Sequence, residues 1–133
     1  MKPELKLHKE VAEYLQEFYP SVYFLSDPSG LRVSMHTARI LKATSSSHSH
    51  LDVVVLRKSR QFSFLIIELK SDTPYKQNGE LKSNEHLESQ KLSMDMLEAE
   101  GALTMFAWSI GQVKDILHNY LGQPVTKNEP LFP

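Results

Sequence analysis

Two apolar segments separated by a short polar stretch limit most strongly what this chain can fold into. They are Val53–Leu56 and Phe62–Leu69, and the residues between them, Arg57–Gln61, are polar and mostly cationic. Val, Ile and Phe favour strands, and a polar break between two such runs is typical of an antiparallel hairpin. If the turn lies near Ser59–Arg60, the numbers of paired residues sum to about 119, within one or two.

This register predicts a cluster of charged side chains at the open end of the hairpin. Asp52 precedes the first strand and should lie at about the level of Glu68, near the end of the second strand. Side chains alternate between faces along a strand, so Glu68 and Lys70 are predicted on one face, and Ile67 and Leu69 on the other. Charges at the end of such an apolar element are costly unless they are paired, bound to a metal or hydrated. Two carboxylates and one amine therefore form a candidate site.

Composition narrows the classes of protein to consider. The 133 residues are sufficient for one domain, predicted over 1–122, and the proline-containing residues 123–133 are predicted to form a tail. The absence of cysteine excludes disulfides and thiolate metal sites. The N-terminal sequence has no apolar signal-peptide core, and no run approaches the length of a transmembrane helix, so a cytoplasmic protein is expected.

Charge is unevenly distributed along the chain. The net charge is −1, but residues 32–60 contain only one acidic residue, Asp52, against six basic ones: Arg32, Arg39, Lys42, Arg57, Lys58 and Arg60. Residues 71–133 contain five basic and nine acidic residues. Local positive potential matters more for binding phosphates than the total charge does. The pattern is equally compatible with a phosphate-binding surface and with a dipolar surface that has no partner.

The remaining elements follow from periodicity and from helix-terminal residues. Helices are predicted at Pro3–Phe18, 84–100 and Gly111–Leu121, strands at Val22–Leu25 and Ala102–Trp108, an ambiguous segment at Leu31–Ala43, and a long exposed loop over 71–85. Asn84 and Ser109 are predicted to cap the starts of the second and third helices, and Gly101 to follow the end of the second. In that second helix, Leu92 and Met96 are predicted to broaden the buried stripe. A helix that joins two strands, as at 84–100, favours a parallel pairing of those strands. The chain is therefore predicted to be an α/β or α+β domain, with about four strands in a mixed sheet flanked by helices.

The residue types at the end of the hairpin suit phosphodiester chemistry. Asp52, Glu68 and the backbone carbonyl of Leu69 could bind Mg²⁺ or Mn²⁺, because hard cations use one or two carboxylates and complete their shell with water. Lys70 could orient a water molecule or stabilise the transition state. Alternatively, Glu and Lys at a strand end are simply hydrated. His48 and His50 could also bind a metal, although most such pairs in serine-rich loops are only hydrated.

Taken together, these motifs resemble a known family. The sequence has the pattern Asp-(15 residues)-Glu-Leu-Lys, then a loop, HLESQ in a helix, a strand and a final helix, preceded by a helix ending EYLQEFYP. This pattern is similar to the VRR-NUC branch of the PD-(D/E)XK nucleases, especially its small stand-alone members from phages and bacteria. The resemblance implies a restriction-endonuclease-like core and an Mg²⁺- or Mn²⁺-dependent DNA endonuclease. It further implies action on branched, flapped or four-way DNA, and a homodimer.

The resemblance also implies a role for individual residues. Asp52 and Glu68 match the metal ligands and Lys70 the catalytic lysine. Gln90 matches the glutamine that supports the site, with His86 one turn earlier, and Glu4 matches a helix-one glutamate that reaches the metal through water. The family's Gly-x-Pro-Asp reads Ser49-His50-Leu51-Asp52 here, so the turn before Asp52 is expected to be looser.

DNA contacts are expected from residues that border the site. Arg32, Arg39 and Lys42 precede the Asp52 strand, and His86 lies on the helix that carries Gln90. Two alternatives to a nuclease remain at this point: a non-catalytic DNA-binding or interaction module on the same fold, and a metal-dependent hydrolase that acts on another substrate.

Overall fold

The fold was taken from a computed structural model, which describes residues 2–27, 36, 39, 40 and 51–124. The described residues form three helices and four strands. The helices are α1 (Pro3–Phe18), α2 (Glu85–Ala99) and α3 (Ile110–Leu121). The strands are β1 (Phe24–Ser26), β2 (Val53–Val55), β3 (Phe64–Leu69) and β4 (Ala102–Ala107). Arg32, Lys42, His48 and His50 lie outside the described residues, as does most of the predicted tail.

The four strands form one mixed sheet in the order β1-β2-β3-β4. The β1–β2 and β2–β3 pairs are antiparallel, whereas β3 and β4 are parallel and joined through α2. The predicted hairpin is therefore confirmed, as is the parallel pairing across the connecting helix. Val53 pairs with Ile67 and Val55 with Leu65, so paired numbers sum to 120, within the range that the sequence predicted.

The helices cover both faces of the sheet. On one face, α1 and α3 pack against alternate residues of the strands in the main core, which includes Val11, Leu15, Ile67, Leu69 and Leu117. On the other face, α2 packs against β4 in a smaller cluster of Leu87, Met94 and Phe106. Burying each large aliphatic side chain contributes about 1.5–3 kcal/mol. The protein is thus an α+β domain, with its central strand β3 buried on both faces.

The helix ends follow the chemistry that the sequence predicts. The Asn84 side chain accepts hydrogen bonds from the backbone N–H groups of His86 and Leu87 at the start of α2. Ser109 accepts from Gln112 N–H at the start of α3. Between α2 and β4, Gly101 has φ of 99°, and an added Cβ would lie 2.8 Å from Ser63 Oγ. Glycine is required there by both its backbone conformation and the close approach of the hairpin.

The predicted burial of two residues of α2 is wrong. The sequence predicts that Leu92 and Met96 broaden the buried stripe of α2, but they are 61% and 52% exposed, and the buried positions are Leu87, Gln90, Ser93 and Met94. At 3.6 residues per turn, both residues lie on the side of α2 opposite Leu87 and Met94, so they face away from the sheet.

The segment after β3 is mostly exposed, as the sequence predicts, and it also contains hydrogen bonds of its own. Tyr75 and Leu81 form an antiparallel bridge, and Lys82 N–H donates to Pro74 O. The Tyr75 ring makes edge contacts with Phe106 and Trp108, with centroids 6.1 Å apart in each case. These contacts hold the segment between β3 and α2 against the end of β4.

Candidate functional site

Asp52 and Glu68 are adjacent at one end of the sheet, as the hairpin register requires. Asp52 N–H donates to Glu68 Oε1 at 3.3 Å, and Leu69 N–H donates to Asp52 Oδ2 at 2.8 Å. Each carboxylate therefore accepts a hydrogen bond from the backbone of the opposite strand. These bonds fix both carboxylates at the point where β2 begins and β3 ends.

Glu68 is the most deeply buried charged residue of the site. Its side chain is only 2% exposed, and Gln90 Nε2 on α2 donates to its Oε2 atom at 3.0 Å. Burial and the neighbouring Asp52 carboxylate raise the pKa of Glu68 from 4.5 to about 9, despite an opposing contribution from Lys70. A carboxylate in this position is unfavourable unless a cation offsets its charge.

Lys70 is close enough to Glu68 for its charge to oppose the rise in the pKa of that carboxyl group, but it is not on the regular strand. β3 ends at Leu69, so the alternation from which a face shared with Glu68 was predicted does not extend to Lys70. Its backbone N–H donates to Ala107 O, and it lines a cavity of about 300 Å³ with the first turns of α1 and α3, including Lys6, Ser71 and Ser109. The lysine thus borders an open space at the end of the sheet.

His8 is a site residue that the sequence analysis missed. It is 3% exposed on α1, its Nδ1 lies 3.1 Å from Ser26 Oγ, and its Nε2 lies 3.6 Å from Asp52 Oδ1. The signal was a histidine that shares one helix face with the buried Val11 and Leu15. Periodicity that counts only apolar residues passes over such a position. Through His8, α1 contacts the first strand of the hairpin.

The helices add a common electrostatic feature to this end of the sheet. The connection from α2 through Gly101 enters β4 at the opposite end, and α3 follows β4 directly at the site end. Residues late in α1 and α3 meet far from the site, where Tyr19 donates to Gly122 O. All three helices therefore begin near Asp52 and Glu68, and their positive N-terminal ends favour anions there.

The donor set fits Mg²⁺ or Mn²⁺ better than a cation that needs a full protein cage. Asp52 and Glu68 provide two carboxylates, which is what Mg²⁺ requires when waters complete the shell. Nowhere in the described ranges do three or more His, Asp or Glu side chains come together as a metal-binding group, so half-buried Glu4 does not complete one. Gln90 Oε1 is buried and has no hydrogen-bond partner among the described residues, which leaves one acceptor available for a donor at the site.

Of the residues predicted to contact DNA, the structure describes His86 and Arg39. His86 is exposed on α2, one turn before Gln90, and Arg39 is exposed. Arg57, Lys58 and Arg60 lie at the hairpin turn, where Arg57 donates to Ser21 O at 3.3 Å, and this turn is at the opposite end of the strands from Asp52. The three basic residues of the hairpin turn are therefore separated from Asp52 and Glu68 by the length of the strands.

Comparison of the chain with protein-family models, with curated protein sequences and with solved structures finds no match.

None of the helices that the structure describes is both long and apolar enough to span a membrane.

Proposed function

We propose that this protein is an Mg²⁺- or Mn²⁺-dependent DNA endonuclease with a restriction-endonuclease-like core. The observation that carries the proposal is the paired arrangement of Asp52 and Glu68, which accept hydrogen bonds from each other's strands beside Lys70. The resemblance of the Asp52, Glu-Leu-Lys and HLESQ segments to VRR-NUC nucleases supplies the substrate class. The proposed substrates are branched, flapped or four-way DNA.

Each residue of the site would have a separate role in the reaction. Asp52 and Glu68, with the Leu69 carbonyl, would hold the cation, and Gln90 fixes the Glu68 carboxylate through its amide. A bound divalent cation would polarise the scissile phosphate and lower the pKa of an attacking water molecule. Lys70 would place a positive charge beside the phosphate as negative charge develops on it.

His8 would act as a positioning residue for Asp52. It bridges Ser26 and the Asp52 carboxylate from the buried side, so its loss should leave Asp52 Oδ1 without a neighbour on α1. We expect His8→Ala to reduce turnover while cleavage still requires a divalent cation. Unchanged turnover in a folded His8→Ala protein would limit His8 to packing.

The proposal is tested by incubating the purified chain with linear, flapped and four-way DNA in Mg²⁺, in Mn²⁺ and with a chelator. We expect cleavage of branched DNA that requires the cation and is abolished by Asp52→Asn and by Glu68→Gln. Glu88→Gln, at an exposed position of α2, is the matched control and should cleave normally.

The outcomes separate the alternatives. Cleavage that survives both site substitutions would contradict the proposal, because the activity would then arise elsewhere. DNA binding without cleavage in Mn²⁺ would favour a non-catalytic module. Hydrolysis of nucleotides or small phosphodiesters, with DNA left intact, would identify a hydrolase of another substrate class.

A further inference from the structure

Trp108 lies where two cavities of the surface meet, directly after β4. One is the cavity of about 300 Å³ beside Lys70, which is also lined by Lys6 and Glu10. The other has a volume of about 430 Å³ and lies beside β4. We call it the aromatic groove, and its lining includes three aromatic and two polar side chains, those of Tyr75, Phe106, Trp108, Gln112 and Asp115. A ligand that contacts Trp108 can therefore extend into both cavities.

The rings of the aromatic groove contact one another by their edges. The Tyr75 ring centroid lies 6.1 Å from those of Phe106 and Trp108, with interplanar angles of 81° and 64°. Tyr75 is 37% exposed and Trp108 is half-buried. An edge contact covers a face of only one of its two rings, so the partly exposed rings keep faces on which a flat ligand can stack. The groove therefore suits a planar group that is partly apolar.

The polar side chains of the aromatic groove suit the edge of a nucleobase. Gln112 Oε1 accepts a hydrogen bond from the backbone N–H of Trp108 at 2.7 Å, which orients the amide and leaves its Nε2 group as a donor. Asp115 is exposed on the next turn of α3 and is an acceptor. Bases present both donors and acceptors along their edges. Because the Asp115 carboxylate repels a phosphate, the groove suits the base of a nucleotide rather than its phosphate.

The cavity beside Lys70 has the opposite charge balance. Lys6 and Lys70 contribute two positive charges to its lining, against the one carboxylate of Glu10. Lys70 N–H donates to Ala107 O at 2.8 Å, so Lys70 lies beside the residue that precedes Trp108. The cavity that suits a phosphate thus adjoins both the groove that suits a base and the residues proposed to cut DNA.

We propose that the aromatic groove binds one unpaired nucleobase of the DNA, stacked on Trp108, while the adjoining phosphate lies against Lys6 and Lys70. The inference rests on the proposed function and deepens it, because it assigns the recognition of unpaired DNA to particular residues. In a continuous duplex every base is paired and stacked, and taking one out has an energetic cost. A single-stranded flap supplies an unpaired base without that cost. The groove would therefore favour flapped DNA over duplex DNA.

The experiment measures the binding of three labelled DNAs in chelator, where no metal-dependent cleavage occurs. They are a duplex, the same duplex with a single-stranded thymidine flap, and the same flap with abasic sites in place of the thymidines. The abasic flap keeps every phosphate and lacks only the bases. Affinity is measured by fluorescence anisotropy of the label. Trp108 is the only tryptophan of the chain, so quenching of its fluorescence reports directly on stacking.

We expect the thymidine flap to quench Trp108 and to bind at least about fivefold more tightly than the abasic flap. Trp108→Leu should remove this preference, whereas Trp108→Phe, which keeps a ring, should retain most of it. Tyr23→Leu is the matched control and should retain all of it, because Tyr23 is an aromatic residue that lies 67% exposed beside the other edge strand, β1.

Equal binding of the two flaps by the wild type, without quenching, overturns the proposal and does not depend on the folding of any variant. A preference that Trp108→Leu keeps, or that Tyr23→Leu also loses, overturns it as well. Cleavage in Mn²⁺ is measured separately. Metal-dependent cleavage without a preference for bases would leave the nuclease proposal intact, whereas a preference for bases without cleavage would overturn the nuclease and retain the groove. Failure to bind any of the three DNAs would overturn both proposals.

Discussion

Replacing Glu68 by glutamine should stabilise the metal-free protein at neutral and alkaline pH. Burial and the Asp52 carboxylate raise the pKa of Glu68 from 4.5 to about 9 in the folded state. Glutamine keeps the shape of the side chain: its carbonyl oxygen can accept from the Asp52 N–H group, and its NH₂ group can donate to Gln90 Oε1 once the Gln90 amide turns over. It carries no charge, so it avoids the cost that the structure imposes on a carboxylate at this position.

The direction of the pH dependence follows from proton linkage. Below pH 4.5 the Glu68 carboxyl group is protonated in both the folded and unfolded states and imposes no penalty. As the pH rises, the unfolded chain releases this proton while the folded chain retains it, so stability falls until about pH 9, where the folded group ionises. At ~1.36 kcal/mol per pH unit, the penalty at pH 7 is on the order of 3 kcal/mol.

The assay is urea denaturation at pH 5, 7 and 8.5 in the presence of a chelator. We expect Glu68→Gln to be more stable than the wild type at pH 7 and 8.5, with the difference growing with pH. Glu88→Gln is the matched control, since its exposed carboxyl group should change stability little. Wild-type and Glu68→Gln curves that shift in parallel with pH would refute the reasoning.

A divalent cation should reverse the order of stability. A ligand that binds only the folded state stabilises it by RT ln(1 + [L]/Kd), which increases with the affinity and with the ligand concentration. Excess Mg²⁺ or Mn²⁺ should therefore stabilise the wild type and have much less effect on Glu68→Gln. Equal stabilisation of both proteins would place the cation elsewhere.

Three further predictions concern Lys70, Gln90 and the basic residues that contact DNA. Lys70→Ala should lower the turnover of bound DNA at least about a hundredfold with little change in affinity, and a fall in affinity alone would make Lys70 a phosphate contact. In the same cleavage assay, Gln90→Ala should lower activity less than Asp52→Asn does. Full activity of Gln90→Ala would show that Gln90 is an ordinary buried polar residue. The third prediction is measured by salt titrations of DNA binding on an Asp52→Asn background. Arg39→Ala should reduce the slope of log affinity against log salt by about one, and Lys58→Ala should leave it unchanged. The reverse result would show that DNA binds at the hairpin turn.

The local sequence pattern was sufficient to predict the helices, the strands and the pairing of the two carboxylates. The β-branched runs, the polar turn and the two-residue periodicity of strands placed Asp52 opposite Glu68, and the observed sum of 120 lies within the predicted range. Helix ends were predicted at Asn84, Ser109 and Gly101. The first two side chains accept hydrogen bonds from backbone N–H groups two or three residues further on, and glycine readily adopts the positive φ that follows a helix. Such information is contained in the spacing of neighbouring residues, so a single sequence carries it.

Tertiary packing decided what surrounds those carboxylates. Glu68 is buried because α2 covers that face and brings Gln90 to it, and His8 meets Asp52 because α1 crosses the other face near the sheet end. These facts depend on which residues distant in sequence meet, and periodicity determines only the face that a residue takes. Sequence therefore determined the positions of the acidic groups, whereas the fold determined the environment that sets their chemistry.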